Sequence, residues 1–271
     1  MIKYKLIKEY PGSPCLGTIV EKDPLSKSYY HRDEDKKWCI LNNHIEPHPE
    51  YWKKQVIKNK NLISISGAMG SGKDAVGKII QYLLCKNTGE VSIDDVLKYS
   101  EHEWWIQEQS GFEIKKFAGK LKQIASILTG VSVEMWEDQE FKKKRMPEQW
   151  GMTYRSFLQR LGTEAMRDGL HNEVWINALF SDYRPAKMSE YNPSKWIITD
   201  TRFPNELEAI KERNGITINV VRPEVRVNGH IAHSSETSLK DVKFDYEIIN
   251  DAGIPELVEK VKKILTKEGI I

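Results

Sequence analysis

The run Leu62-Ile63-Ser64-Ile65-Ser66, followed at once by Gly67, Gly70, Gly72 and Lys73, constrains this chain more than any other stretch. The apolar residues suffice for one buried strand. Beyond the lysine, Val76, Ile79, Ile80, Leu83 and Leu84 recur at the spacing of one helix face. Strand, glycine loop and helix in that order is the context in which G-x-x-x-x-G-K reads as a phosphate-binding loop. Glycines let backbone N–H groups curl toward an anion without interference from Cβ, and the helix N-terminus adds its positive dipole end. Lys73 is placed to reach the β- and γ-phosphates as a point charge. Asp74 stands where Ser or Thr normally contacts Mg²⁺; a carboxylate is also a hard oxygen ligand. The stretch predicts a nucleotide site.

The rest of the chain from about residue 59 extends this unit by alternating strands and helices. Asp94 to Gln109 predicts a polar helix, Phe112 to Phe117 a second strand, and Phe117 to Leu128 a helix stopped at Thr129-Gly130. Residues 131–152 read as irregular, and their run Lys142-Lys143-Lys144-Arg145 as a solvated face. A helix starts at Tyr154. Trp196 to Asp200 is a buried strand ending in a carboxylate, followed by a helix from Asn205 to Arg213 that stops at Asn214-Gly215. Strands at Ile216–Val221 and Tyr246–Asn250 and a last helix from Pro255 complete the pattern. It predicts an α/β fold: a parallel sheet flanked by helices, with ligands at the carboxyl ends of the strands.

Residues 1–58 differ. Short alternating runs at Ile2–Leu6, Leu16–Val20, Ser28–His31 and Trp38–Leu41, separated by turn residues, predict a small antiparallel β module, with the seam at Asn59-Lys60-Asn61. Residues 59–271 are then one larger domain carrying the phosphate loop. In the module, Tyr29, Tyr30, Trp38 and Trp52 beside Lys36 and Lys37 either stack on nucleic-acid bases or form the core of a tiny domain.

A formal net charge of +2 gives no global pull toward nucleic acid or membrane, so anion binding must be local. Cys15, Cys39 and Cys85 are scattered, without a C-x-x-C pair, which favours reduced thiols and a cytoplasmic setting over disulfides or zinc. The first residues lack the apolar core of a signal peptide, and no run is long enough to span a bilayer.

A phosphate loop alone does not separate a motor, a switch and a kinase. Transfer to a nucleoside monophosphate needs a second anion site facing the first, because two mutually repelling polyanions must be brought in line. Arginine suits this: its planar fork meets phosphate oxygens bidentately and keeps its charge. Arg155 at a helix entry, Arg202 past the Asp200 strand end with Glu206 four residues on, and Arg222 after Val221 are the candidates. Asp200 resembles the acidic strand end that holds Mg²⁺ in such enzymes, or else caps a turn.

In chain order, Gly67-x-x-x-Ser71-Gly72-Lys73-Asp74, Phe117-Ala118-x-x-Leu121-Lys122, Thr153-x-Arg155, Leu158-Gln159-x-Leu161-Gly162-Thr163-Glu164, Asp200-x-Arg202, Val221-Arg222-Pro223 and His233-x-x-Glu236 resemble the phage deoxynucleoside monophosphate kinases. That family is a branch of the P-loop nucleotide kinases, in which the Gly-Lys-Asp ending is usual. The resemblance spans residues 60–268. It implies a P-loop NMP-kinase-like fold and transfer from ATP, with Mg²⁺, to a deoxynucleoside monophosphate (dNMP), in the host cytoplasm for a phage enzyme. It assigns ATP to Gly67, Ala68, Gly70, Ser71, Gly72, Lys73, Asp74, Ala75 and Arg222, and the metal to Asp74 and Asp200. The acceptor falls to Phe117, Ala118, Lys122, Arg155, Gln159, Thr163 and Arg202. Catalysis falls to Lys73, Asp74, Arg155, Arg202 and Glu206, the last two as a pair. Residues Arg222–Glu236, with Arg226, His230 and His233, are the expected lid. Trp136, Trp150, Trp175 and Phe117 are equally readable as base platforms or core. A homodimer through the sheet-covering helices is compatible with the pattern.

Two rival readings remain at this stage. Another small-molecule P-loop kinase, such as a phosphomevalonate-type enzyme, shares the phosphate chemistry. A P-loop NTPase acting as a switch or DNA-associated motor needs a water-activating residue, for which no candidate stands out.

Overall fold

The computed structural model describes residues 2–11, 13–22, 28–33, 36–41, 45, 48–56, 58–86, 89, 91–185, 193–223, 239 and 242–271. The chain forms two compact units, Met1–Lys58 and Asn59–Ile271.

The first unit is an antiparallel sheet of β1 (Ile2–Leu6), β2 (Ile19–Lys22), β3 (Ser28–Asp33), β4 (Lys36–Leu41) and β5 (Trp52–Val56), in the order β4-β3-β2-β1-β5. The last strand was not expected from the sequence. It returns to pair with β1, Leu6 opposite Trp52, and so brings Trp52 into the core. Leu6, Val20, Tyr29, Ile45 and Trp52 are all buried there. Tyr29 and Trp52 are therefore core residues rather than base platforms, and the side chains of Tyr30 and Trp38 lie outside the described set.

The second unit is built on five parallel strands: β6 (Asn59–Ser66), β7 (Glu113–Lys115), β8 (Trp196–Thr201), β9 (Gly215–Val221) and β10 (Tyr246–Ile249). Their order is β10-β9-β6-β8-β7, every pairing parallel. The glycine-loop strand is thus central. The chain leaves β6 toward one edge and β8 toward the other, which opens a crevice at their carboxyl ends. Helices α1 (Lys73–Leu84), α2 (Ile93–Lys98), α3 (Glu103–Ser110), α4 (Ala118–Thr129), α5 (Gln139–Lys143), α6 (Tyr154–Gln159), α7 (Val174–Phe180), α8 (Pro204–Glu212) and α9 (Ile254–Lys267) cover the sheet. One core lies between α1, α9 and the sheet, around Ile63, Ile65, Val76, Ile80, Ile218 and Val261. The second gathers Phe117, Trp175, Ile176, Leu179, Trp196 and Ile198.

Local differences from expectation have local causes. The stretch expected as one helix from Asp94 to Gln109 is two. Ser92 caps α2 through a reciprocal box with Asp95, and the chain opens at Tyr99 before α3 begins. Strand β7 spans only three residues, because the Phe117 N–H is claimed by Asp200 instead of a ladder partner. After α8, the left-handed position is taken by Asn214 (φ 54°) rather than Gly215, which opens β9. Residues 131–152 contain α5, whose N-terminus is capped by the Asp138 carboxylate. After α6 the chain continues in wider, π-type turns through Arg160–Asp168, anchored by the Trp175 indole N–H on the Gly162 carbonyl (2.9 Å). Among the described residues, no helix is long and apolar enough to cross a membrane, and Cys15 and Cys85 are free thiols.

Candidate active site

The glycine loop sits where β6 meets α1. Gly67, Gly70 and Gly72 all have positive φ (154°, 80° and 96°). Two of them also have no room for a side chain. A Cβ on Gly67 would lie 2.5 Å from the Val220 carbonyl, and one on Gly72 would lie 2.5 Å from the Asn250 amide. The Asn250 amide in turn donates to the Ser71 carbonyl (2.9 Å), so the end of β10 fixes the loop. The Lys73 side chain is buried, its ammonium 3.5 Å from the Ala68 carbonyl. Burial, then the positive charge of Arg202, pulls the Lys73 pKa below the ordinary lysine value, with Asp74 and Asp200 opposing.

Asp74 projects from the first turn of α1. The Thr199 hydroxyl on β8 donates to its Oδ1 (3.0 Å), and the Lys116 ammonium stands 3.6 Å away. Asp200, one residue beyond Thr199, accepts the N–H groups of Phe117 (2.7 Å) and Ala118 (3.0 Å). It therefore holds the N-terminus of α4 from across the sheet. The sequence-based alternative was that Asp200 caps a turn; it caps a helix entrance far away in the chain.

A cationic surface lies beyond Asp74. Lys116 reaches Glu137 (3.5 Å) as well as Asp74, and Glu137 also pairs closely with buried Lys122. Burial pushes the Glu137 carboxyl up, but Lys122 and Lys116 outweigh it and hold the group below the usual range. For Lys116, burial works downward and is overcome by Asp74, Glu137 and Asp200, leaving its pKa raised. Arg155, in the first turn of α6, donates to the Gln139 side-chain Oε1 (3.2 Å). Lys142 on α5 is buried (9% exposed), whereas Lys143, Lys144 and Arg145 are exposed. The solvated-face expectation thus fails for Lys142 alone: Asp138 starts α5 in a phase that turns residues 141 and 142 inward.

Glu206 is 2% exposed. One oxygen meets the Arg167 guanidinium; the other accepts the backbone N–H groups of Arg202 (2.8 Å) and Phe203 (3.2 Å). Burial, then the nearby Asp200 charge, raises its pKa to about 7. The Arg167 guanidinium also stacks 4.0 Å from the Phe203 ring centre. The expected Arg202–Glu206 pair therefore exists through the Arg202 backbone, while the guanidinium on Glu206 is that of Arg167.

Of the other sequence candidates, Lys73, Asp74, Asp200, Arg155, Lys122 and Arg202 come together. Ala68, Ser71 and Ala75 belong to the loop and its helix. Phe117 contributes its N–H, but its ring is buried against Phe180. Trp136 and Trp175 are core residues as well. Gln159 is exposed and Thr163 half-buried. Arg222 is exposed just past β9, two residues beyond the Val220 carbonyl that abuts the loop. Residues 224–238, with Arg226, His230, His233 and Glu236 of the expected lid, lie outside the described residues. Lys116, Glu137, Lys142, Arg167, Thr199 and Asn250 were missed; only their proximity in the fold marks them.

The sequence profile of the family described as "Deoxynucleotide monophosphate kinase" matches residues 93–261. A putative deoxynucleotide monophosphate kinase of Acanthamoeba polyphaga mimivirus is 30% identical over 167 residues, 58% of this chain and 84% of that protein. The deoxynucleoside-5'-monophosphate kinase of Escherichia phage T5 is 23% identical over 228 residues, 70% of this chain and 89% of that one. Among solved structures, shikimate kinase from Aquifex aeolicus vf5 covers 77% of this chain and 98% of its own length, at 14% identity and a TM-score of 0.34, too distant to inform the site.

Proposed function

This chain belongs to the deoxynucleotide monophosphate kinase family, and from that premise we propose that it transfers the γ-phosphoryl group of ATP to the phosphate of a deoxynucleoside monophosphate. The observation that carries the reading is the second cationic surface, joined to the phosphate loop by Lys116 between Asp74 and Glu137. A switch or motor has no use for it; a kinase must hold a second polyanion there.

In this reading the loop N–H groups and Lys73 hold the ATP phosphates, and Lys122, Arg155 and Arg202 receive the acceptor phosphate. That phosphate is largely a dianion at neutral pH, with a second pKa of about 6, so no general base is required. Arg202, near Lys73, is placed to follow charge onto the migrating group. Glu206 and Arg167 hold the Arg202 backbone in place. The residues present fit a magnesium ion. Asp74 offers a carboxylate oriented by Thr199, and Mg²⁺ needs only one or two carboxylates besides phosphate oxygens and water. Asp74, with Asp200 behind it, would hold the ion, which when bound neutralises charge between the transferring phosphates.

The test is ADP formation from Mg·ATP with each of the four dNMPs, the matching ribonucleotides and no acceptor, with product identity read directly. Turnover confined to dNMP-containing reactions is expected. Hydrolysis at the same rate without acceptor would sink the proposal.

A further inference from the structure

Lys142 is unlike every other lysine around the site. Its side chain is nine-tenths buried, yet among the described residues its ammonium makes no hydrogen bond or ion pair. The charged groups that act on it most strongly are Lys122 from α4, Arg155 from α6 and Arg202 from the end of β8, with the Glu137 carboxylate opposing. Glu137 is already committed to Lys122 and Lys116. Among the described residues, Arg155 is bonded to the neutral side-chain amide of Gln139 on the helix that carries Lys142. A lysine whose stem is buried and whose ammonium faces like charges, with no counter-ion of its own among the described residues, is electrostatically costly. Such a group is retained where a ligand supplies the missing charge.

Resting on the kinase reading above, we propose that Lys142 is a binding residue for the 5'-phosphate of the acceptor nucleotide, completing a cluster with Lys122, Arg155 and Arg202. A mobile surface lysine would serve any anion. One held by burial between two arginines and a lysine fits a compact dianion, where several donors converge on one phosphate.

The electrostatics add a signature. Burial first, then Lys122, with Arg155 and Arg202 adding to it and Glu137 opposing, lowers the Lys142 pKa to about 8. Above that pH the free enzyme holds a neutral amine. The acceptor dianion then binds with uptake of one proton from solvent onto Lys142 Nζ. The affinity for the acceptor falls as pH rises through this value, while that for ATP does not follow it.

The experiment compares wild type, Lys142→Met and Lys142→Arg for KM of the acceptor dNMP and of ATP, across pH. Methionine keeps the buried stem and drops the charge. The expected result is an acceptor KM raised about 10- to 100-fold in Lys142→Met, the worth of one charge-assisted hydrogen bond, with the ATP KM within about twofold of wild type. Lys142→Arg is expected to keep acceptor binding and to lose the alkaline rise in acceptor KM, since arginine does not deprotonate in this range. An unchanged acceptor KM in Lys142→Met, or an equal rise in both KM values, would overturn the assignment while leaving the kinase reading standing. If Lys142→Met does not fold, the comparison of wild type with Lys142→Arg still decides: an acceptor KM in wild type that is flat through pH 8 overturns it. A wild type that phosphorylates no dNMP would overturn both together.

Discussion

On the donor side of the proposed site, an anion would be held mostly by backbone: three glycines in left-handed or extended-positive conformations, clamped by Asn250, with Lys73 as the one cationic side chain of the loop. On the acceptor side the charge is carried by side chains alone. Lys116 comes from the turn between β7 and α4, Lys122 from α4, Lys142 from α5, Arg155 from α6 and Arg202 just past the end of β8. A backbone nest costs little to keep empty, because peptide N–H groups are partial charges that water can satisfy. A crowd of full charges costs more, and Glu137, with Asp74 on Lys116, offsets part of it. The donor side is therefore preorganised, whereas the acceptor side is held in tension until its ligand arrives.

That contrast makes predictions of decreasing size. Lys73→Met removes the only positive side-chain charge of the donor loop and is expected to lower kcat about 10³-fold, with little change in acceptor KM, in steady-state assays. A loss below about tenfold would show that the backbone suffices. Arg167→Met strands the Glu206 carboxylate in the interior and should cost about 3 kcal/mol in urea unfolding, with partial relief on acidification. The sign follows from the raised pKa. Glu206 binds its proton more tightly when folded, so its contribution to stability is full below the unfolded value and is lost as pH rises toward about 7. Lys122→Met should raise acceptor KM about tenfold and leave ATP KM alone, being one of several cations that share the load. Glu137→Gln is expected to change stability by less than about 1 kcal/mol, because its carboxylate is half exposed. Its carboxyl is held low, so what it does contribute is present above the unfolded pKa and lost as pH falls; the variant should flatten the acid limb of the unfolding midpoint.

The same contrast explains what could be read in advance. The donor loop is contiguous, and each of its residues has a conformational reason to be where it is, so Gly67 to Asp74 announced itself. The sheet was legible through its apolar runs, and Asp200 and Arg202 through their place at a strand end. The acceptor cluster was not. Lys142 lies in a run of four basic residues, and only the phase of a five-residue helix separates it from its exposed neighbours. Arg167 and Arg202 are indistinguishable as letters; which of them meets Glu206 depends on how the π-type turns after α6 carry Arg167 inward. Phe117 was legible as a motif residue but not in its means, since it is the backbone N–H that Asp200 engages while the ring packs in the core. Position along the chain encodes the first kind of site, and tertiary packing the second.

Lys116 has a further consequence. Its ammonium answers to a carboxylate on each side, Asp74 at 3.6 Å and Glu137 at 3.5 Å. A ligand that claims Asp74 leaves Lys116 to Glu137, and tightening there loosens the hold of Glu137 on Lys122. On the proposed assignment, filling one compartment would alter the charge on offer in the other through the Lys116 side chain. Linkage makes that exchange symmetrical: by whatever factor bound ATP changes the grip on the acceptor, bound acceptor changes the grip on ATP.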